Sequence, residues 1–223
     1  MARVSPRLCL ALAALGFVSL LALVVTADNV VTRADLSVVE AIAGDRTSLL
    51  GTIARAVSWL GNVVVLGTLG TLAAWLLRSR GAPWARALLP AGALALAAIV
   101  DPLVKLVVGR PRPPLELAEV IETATGYPSG HSAQSAAFWL AVAFAFSTRA
   151  TPRRRAVALG VAAMITALVG LSRVVLGVHS PTDVLGGWAL GGACALAAIE
   201  VSERWALRDR QATDEPQAAP ARD

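Results

Sequence analysis

The stretch nearest the N-terminus that decides the fold is an uncharged apolar run at residues 8–27, LCLALAALGFVSLLALVVTA. A bilayer core about 30 Å thick needs roughly 20 apolar residues in helical form to span it. The run therefore predicts a membrane-spanning helix. Arg3 and Arg7 precede it, as basic residues precede a cleavable secretory signal. However, the run exceeds the roughly 7–15 residues of a usual signal core, so we expect a retained anchor, with a cleaved signal as the alternative.

Five further apolar runs follow this one, and the overall composition agrees with them. Hydrophobic residues make up 56% of the 223 residues, charged residues make up 16%, and the mean hydropathy is +0.65. Soluble domains carry about 25% charged residues, so a soluble enzyme, a disordered chain and a disulfide-rich module are excluded. We predict an all-α, polytopic membrane bundle of six transmembrane helices, with the later spans at residues 56–77, about 87–108, 132–148, 156–172 and about 181–201.

The distribution of apolar and polar residues predicts one domain followed by a polar tail. Residues 1–208 contain all six runs, whereas residues 209–223 are polar and rich in Pro and Ala, which is typical of disorder. Cys9 and Cys194 lie inside apolar runs without a second Cys or a His nearby. We therefore expect neither a structural disulfide nor a metal site from them.

Charge predicts the orientation in the membrane. Segments 78–86 and 149–155 contain arginines and no acidic residue, and in a six-span layout they share one side with both termini. The positive-inside rule places that side in the cytoplasm. The net charge of +5 is then explained by topology, and no nucleic-acid partner is expected. The opposite, extracytoplasmic side holds residues 28–55, 109–131 and 173–180.

Residues 28–55 mix charged residues with apolar ones at helical intervals, such as Val38, Val39 and Ile42. This pattern predicts a helix lying in the membrane interface. Such a helix could partly cover a site that opens at the membrane surface, or it could be a solvated connector. The sequence leaves both interpretations open.

The third apolar run contains Asp101 and Lys105, the only lysine in the chain, and is followed by Arg112. Ionisable residues at membrane depth indicate function by default. Lys105 and Arg112 are seven residues apart, so they would share a helical face, while Pro111 and Pro113 end the helix. Two converging cations suit a phosphoryl group. We interpret Arg110, by contrast, as an ordinary positive residue at the end of a span.

Two further polar segments lie on the same predicted side and contain the only two histidines. Ser129, Gly130 and His131 open the fourth run, where free N–H groups at a helix N-terminus form an anion site; Ser129 could equally be a helix cap. His179 precedes Asp183 by four residues, so the carboxylate could orient its Nδ1–H and leave Nε2 as a nucleophile. Asp183 could also serve only in a capping box with Ser180.

Other polar or small residues are given no chemical role. Glu116, Glu119 and Glu122 are interpreted as the wet face of a short loop helix. Gly187 and Gly191 have the GxxxG spacing of close helix packing.

Taken together, three motifs resemble the signatures of the type 2 phosphatidic acid phosphatase (PAP2, lipid phosphate phosphatase) superfamily, membrane branch. They are Lys105-x6-Arg112-Pro113, then Pro128-Ser129-Gly130-His131, then Ser172-Arg173-x5-His179-x3-Asp183. They cover residues 105–183 in the family's order. The region before residue 100 matches only in general layout.

The resemblance implies a phosphatase that uses no metal and no cofactor. His179 would form a phosphohistidine with Asp183 orienting it, and His131 would act as general acid and then as general base. The phosphate oxygens would be held by five groups: Lys105, Arg112, Ser129, Gly130 and Arg173.

The expected partners are membrane lipids and a lipid phosphate or diphosphate substrate. Polyprenyl (undecaprenyl) diphosphate is our first expectation, and phosphatidic acid and phosphatidylglycerol phosphate are the alternatives. From a different class, the chain could be a catalytically silent lipid-binding or flipping protein, although no motif residue is missing.

Overall fold

The computed structural model describes residues 5–27, 29–43, 48–114, 118 and 125–214. Over these residues the fold is all-helical, with no strand. A 3₁₀ turn spans Trp59–Gly61, and the α-helices are α1 (Pro6–Val25), α2 (Val30–Ile42), α3 (Leu49–Ser58), α4 (Val63–Ser79), α5 (Trp84–Ala87), α6 (Leu89–Val108), α7 (Gly130–Ser147), α8 (Pro152–Val175) and α9 (Pro181–Asp214).

Helix α7 lies at the centre of the bundle and packs against α6, α8 and α9, while α1 packs along α9. Glycines make the contact between α7 and α9 close. A Cβ added at Gly187 would lie 2.5 Å from the Ser129 carbonyl oxygen, and one at Gly191 would lie 2.1 Å from that of Ala133. The predicted role of this GxxxG pair in helix packing is confirmed.

Four helices are long and apolar enough to cross a membrane: α1, α6, α8 and residues 181–209 of α9. A fifth candidate is the pair Leu49–Gly61 and Val63–Ser79, which is bent by 50°. Helix α7 does not meet the same criterion because its first half carries polar residues such as His131 and Gln134. An all-α membrane bundle is therefore confirmed, whereas the sixth span stays a prediction.

The predicted second span, 56–77, begins in the wrong place. The Asn62 side chain accepts hydrogen bonds from the backbone N–H groups of Val64 and Val65, so a new helix starts there. An N-cap side chain that satisfies free N–H groups in this way sets a helix start. The apolar run 56–77 is thus divided between α3 and α4.

Helix α9 extends past residue 209, where the sequence predicts the start of the polar tail, and continues to Asp214. Side-chain contacts are made by the part of the helix that precedes residue 209. Arg204 pairs with Glu200 at 2.9 Å, and the Ser202 hydroxyl donates to the Ala85 carbonyl at 2.8 Å. Residues 215–223 and the three glutamates Glu116, Glu119 and Glu122 lie outside the described residues.

The helix predicted within residues 28–55 is present as two helices, α2 and α3, and its place in the membrane interface stays a prediction. Asn29 begins α2 with a capping box, since its side chain accepts from the N–H of Thr32 and its own N–H donates to the Thr32 hydroxyl at 3.0 Å. Helix α2 contacts α8 and α9, and α3 packs against α8. One acidic side chain of α2, Asp35, is buried.

Candidate active site

The three motif segments meet at one end of the bundle, where α6 and α8 end and α7 and α9 begin. The Ser129 N–H donates to the Asp183 carbonyl at 2.9 Å, which joins the first turns of α7 and α9. Lys105 Nζ donates to the Pro128 carbonyl at 2.6 Å, which joins α6 to the same place. Residues separated by up to about a third of the chain are therefore brought together.

Lys105 is held by a carboxylate that the sequence analysis gave no role. Its Nζ donates to both carboxylate oxygens of Asp101, at 2.9 and 2.8 Å, and both side chains are nearly buried. A buried cation needs such a partner. The four-residue spacing in one helix was the signal that could have revealed Asp101. Gly130 permits this packing, since a Cβ there would lie 3.0 Å from Asp101 Oδ2.

His179 is almost completely buried and lies between a carboxylate and a guanidinium. Its Nδ1 is 3.5 Å from Asp183 Oδ2, and its Nε2 is 3.1 Å from Arg112 Nη1. Burial, opposed by Asp183, lowers the pKa of His179 to about 4. The ring is therefore neutral at neutral pH. We assign its proton to Nδ1, facing Asp183, which leaves the Nε2 lone pair directed at Arg112.

The Asp183 carboxylate is fixed from both sides. Its Oδ2 accepts from the Ser180 N–H at 2.9 Å, and its Oδ1 accepts from Arg110. The contact with Ser180 belongs to the predicted capping arrangement, so one carboxylate both caps α9 and faces His179. The two interpretations of Asp183 given by the sequence are compatible.

The interpretation of Arg110 as a flanking residue is wrong. Its side chain is 7% exposed and donates to the Thr182 hydroxyl at 2.7 Å and to Asp35 Oδ2 at 2.8 Å, besides Asp183. Helix α6 ends at Val108 and is capped by Gly109, whose φ of 62° is left-handed. This turn directs the chain back toward α9. Burial lowers the pKa of the Arg110 guanidinium, but Asp183 and Asp35 outweigh burial and raise it.

Arg173 and His131 line a second part of the site. Arg173 Nη1 donates to the Ser58 hydroxyl at 2.6 Å. Arg173 and His131 border a cavity of about 190 Å³ together with Asn62 and Trp59. This cavity lies between the break after α3 and the first turn of α7, so the bent α3–α4 segment forms one of its walls.

Ser129 and Gly130 occupy the start of α7, as the sequence predicted. Ser129 is fully buried, but its side chain makes no capping hydrogen bond and instead accepts from the Ser132 hydroxyl at 3.0 Å. Ser129 thus stands at the N-cap position of α7 without capping the helix through its side chain. The contact with phosphate stays a prediction.

A third feature is a pair of adjoining cavities between α1 and α6. One, of about 410 Å³, reaches Arg112 and Ser180. The other, of about 780 Å³, is an apolar groove that runs along both helices. The two share Thr26 and Val108, so an apolar surface within the membrane leads to the cationic end of the bundle.

Cations, a helix N-terminus and two histidines thus lie at the same end of the bundle. Cations and N–H groups aimed at one position stabilise the spread charge of a transferring phosphoryl group. Across the described residues, no group of three or more His, Cys, Asp or Glu side chains could hold a metal ion.

The sequence pattern of the PAP2 superfamily matches residues 86–206, more than half of the chain. The chain belongs to the PAP2 superfamily. Residues 86–206 contain every residue of the three motifs, from Lys105 to Asp183.

Curated relatives share parts of this region. The chain is 41% identical over 75 residues to phosphatidylglycerophosphatase B of Bacillus subtilis, covering 32% of this chain and 36% of that protein. It is 36% identical over 88 residues to lipid A 1-phosphatase of Rhizobium etli, covering 40% of this chain and 34% of that protein. The matches thus span about a third of the length of these relatives.

Two solved structures share the fold. A transmembrane PAP2 type phosphatidylglycerolphosphate phosphatase from Bacillus subtilis has a TM-score of 0.73 and 27% identity, covering 87% of this chain and 96% of the other. LpxE from Aquifex aeolicus has a TM-score of 0.58 and 22% identity, covering 74% of this chain and 94% of the other. The second likeness concerns the fold alone. Together with the apolar helices, these findings make the chain an integral membrane protein.

Proposed function

We propose that this protein is a lipid phosphatase that hydrolyses a lipid phosphate or diphosphate through a phosphohistidine at His179. The observation that carries the proposal is the buried neutral imidazole, with Nδ1 facing Asp183 and Nε2 directed at Arg112. A neutral imidazole oriented by a carboxylate is an activated nucleophile. Membership of the PAP2 superfamily supports the same chemistry.

In the first step, His179 Nε2 attacks phosphorus and the bond from phosphorus to the lipid oxygen breaks. His131 donates a proton to that oxygen. The positive charge that develops on the His179 ring is stabilised by Asp183 at Nδ1. In the second step, His131 takes a proton from water, the water oxygen attacks phosphorus, and inorganic phosphate and free His179 are released.

The phosphate oxygens would be held through both steps by Lys105, Arg112 and Arg173, together with Ser129 and the Gly130 N–H at the start of α7. In this structure Arg112 donates to the Val178 carbonyl and Lys105 to that of Pro128. Held in this way, both cations are positioned before the substrate arrives, which favours the transition state. The proposed mechanism requires no metal ion.

The groove between α1 and α6 supports a lipid as substrate. Its lining is almost entirely apolar, and it adjoins the cavity that reaches Arg112. We place the acyl or prenyl chain in this groove and the head group at the end of the bundle. Burial of each CH₂ group contributes about 0.8 kcal/mol, so long-chain lipids should bind better than soluble phosphoesters.

Among lipid head groups, phosphatidylglycerol phosphate becomes the first candidate, because a curated relative and a solved structure are named for that activity. Polyprenyl diphosphate is the second candidate. It rests on the predicted orientation, in which α7 also crosses the membrane as the fourth of six spans, both termini are cytoplasmic and the site opens on the extracytoplasmic side of the cell membrane.

The test is phosphate release by purified protein from a panel containing phosphatidylglycerol phosphate, phosphatidic acid, undecaprenyl diphosphate and glycerol 3-phosphate. We expect release from at least one lipid, little from the soluble ester, and no loss of activity in EDTA. If no lipid in the panel is hydrolysed while the protein still binds lipid vesicles, the catalytically silent alternative is correct.

A further inference from the structure

A buried ionic network connects helix α2 to the first turn of α9. Asp35 is 4% exposed, Arg110 is 7% exposed and Asp183 is fully buried. The Arg110 guanidinium donates to both carboxylates, so one cation lies between two anions. Removing three ions from water is costly, so a network of this kind calls for an explanation beyond the docking of a connector.

Asp35 also binds the start of α9 directly. Its Oδ1 accepts from the Thr182 N–H at 3.1 Å, and its Oδ2 accepts from the Thr182 hydroxyl. The N–H groups of a first helical turn lack partners within the helix, and the helix dipole favours a negative charge there. Asp35 thus serves α9 as a capping carboxylate supplied from 147 residues away.

The consequence for catalysis lies in the orientation of Asp183. Arg110 occupies Oδ1, which directs Oδ2 toward the Ser180 N–H and toward His179 Nδ1. Without Arg110 the carboxylate could rotate or move, and its Oδ2 would no longer be held facing Nδ1. Asp35 in turn fixes the guanidinium, because it accepts from the other terminal nitrogen.

We propose that Arg110 and Asp35 are positioning residues that orient Asp183 toward His179, so that α2 is part of the catalytic apparatus. This inference rests on the proposed function of His179. It adds a third interpretation of residues 28–55 to the cover and the connector: α2 acts as a structural support of the nucleophile.

The kinetic test compares Arg110→Gln, Asp35→Asn and the double variant, with Glu40→Gln as a control at an exposed acid on the same helix. We expect kcat to fall by about 10-fold to 100-fold, as with small misplacements of reacting groups, while KM stays within about twofold. The double variant should be no slower than Arg110→Gln, because both residues act on the same carboxylate. Arg110→Lys should recover part of kcat. Effects that multiply in the double variant, or single variants as fast as wild type, would overturn the proposal.

A spectroscopic test needs no substrate. The chain has two histidines, so ¹⁵N-histidine NMR in a His131→Gln background reports His179 alone. We expect a single Nδ1–H tautomer, which becomes a mixture of tautomers when Asp35→Asn or Arg110→Gln is added. An unchanged tautomer in folded variants would refute the positioning role. Variants that shift the tautomer as expected, in a protein whose wild type hydrolyses no lipid, would instead contradict the proposed function and leave the positioning role intact.

Discussion

Three cations at the end of the bundle each donate a hydrogen bond to a neutral oxygen of the protein. Lys105 and Arg112 donate to backbone carbonyls, and Arg173 donates to a hydroxyl. These contacts fix the positions of the three side chains, and Lys105 also forms an ion pair with Asp101. Donors held in this way need no reorganisation when charge develops on the phosphoryl oxygens.

Loss of any of these cations should therefore slow catalysis strongly. For Lys105→Met, Arg112→Gln and Arg173→Gln we expect kcat/KM to fall by about 100-fold to 1,000-fold. Arg154→Gln is the matched control, since Arg154 is exposed at the opposite end of the bundle and should leave kcat/KM unchanged. Phosphate release measured on the four purified variants checks this, and an equal loss in Arg154→Gln would contradict it.

The pH dependence should reflect the low pKa of His179. Burial lowers this pKa from 6.5 to about 4, and Asp183, Arg112 and Arg173 are the charged groups that surround the ring. The nucleophile thus stays neutral until the pH falls toward 4, so we expect no loss of kcat/KM from His179 protonation near pH 6.5. A pH–rate profile of the wild type checks this, and an acid limb that centres on 6.5 and belongs to His179 would contradict it.

The same shift affects stability. Between pH 6.5 and about 4 the unfolded chain binds a proton at His179 that the folded chain does not. The free energy of unfolding therefore decreases as the pH falls through this window.

The residues of the site differ in how far the sequence could predict them. The three motifs identified His131, His179, Lys105 and their neighbours because each motif is local. The pairing of Lys105 with Asp101 could have been predicted, since the two residues lie four positions apart in one helix. The contact between Asp35 and Arg110 was not, because the two residues are 75 positions apart and no local pattern predicts a tertiary ion pair.

At the scale of elements, the groove between α1 and α6 is predicted to select long lipid chains. Ala22 lines the groove, whereas Ala13 on the same helix is exposed on another face. Ala22→Phe should raise KM for a long-chain lipid phosphate more than for a dioctanoyl analogue, because the added ring fills the space of the chain. Ala13→Phe, with the same change in size, should alter neither value.

Measurement of KM for both lipids with both variants checks this prediction. An equal rise for the long and short lipids in Ala22→Phe would indicate general damage to packing. No rise for either lipid would mean that the chain binds elsewhere.

The sequence predicted the presence of the helices better than their first and last residues. Hydropathy identified the apolar elements because lipid-facing surface must be apolar along its whole length. It could not show that Asn62 divides the second run, since one polar residue barely changes the average. It also placed the end of α9 too early, because a helix can leave the membrane and continue in water.

At the scale of the whole molecule, the arginine-rich ends predict the orientation. Ser37 in α2 and Ser79 at the end of α4 are both exposed and would lie on opposite sides. In a background without Cys9 and Cys194, we expect Ser37→Cys to react with a membrane-impermeant thiol reagent on intact cells, because its side faces outward by the positive-inside rule. Ser79→Cys should not react until the cells are permeabilised.

The opposite labelling pattern would place the active site in the cytoplasm and would remove the basis for polyprenyl diphosphate as a substrate. Labelling of both residues after permeabilisation is the control for accessibility. Phosphate release by each variant at the wild-type level shows that the fold is retained.

The most direct test of the central claim is to trap the phosphoenzyme. Purified wild type is mixed with ³²P-labelled lipid phosphate and quenched rapidly in alkali, and the labelled peptide is identified. We predict a label that is stable in base, labile in acid and located on His179, with His179→Ala showing neither label nor turnover. A His179→Ala variant that retains a tenth of wild-type phosphate release, or a label on another residue, would contradict the account.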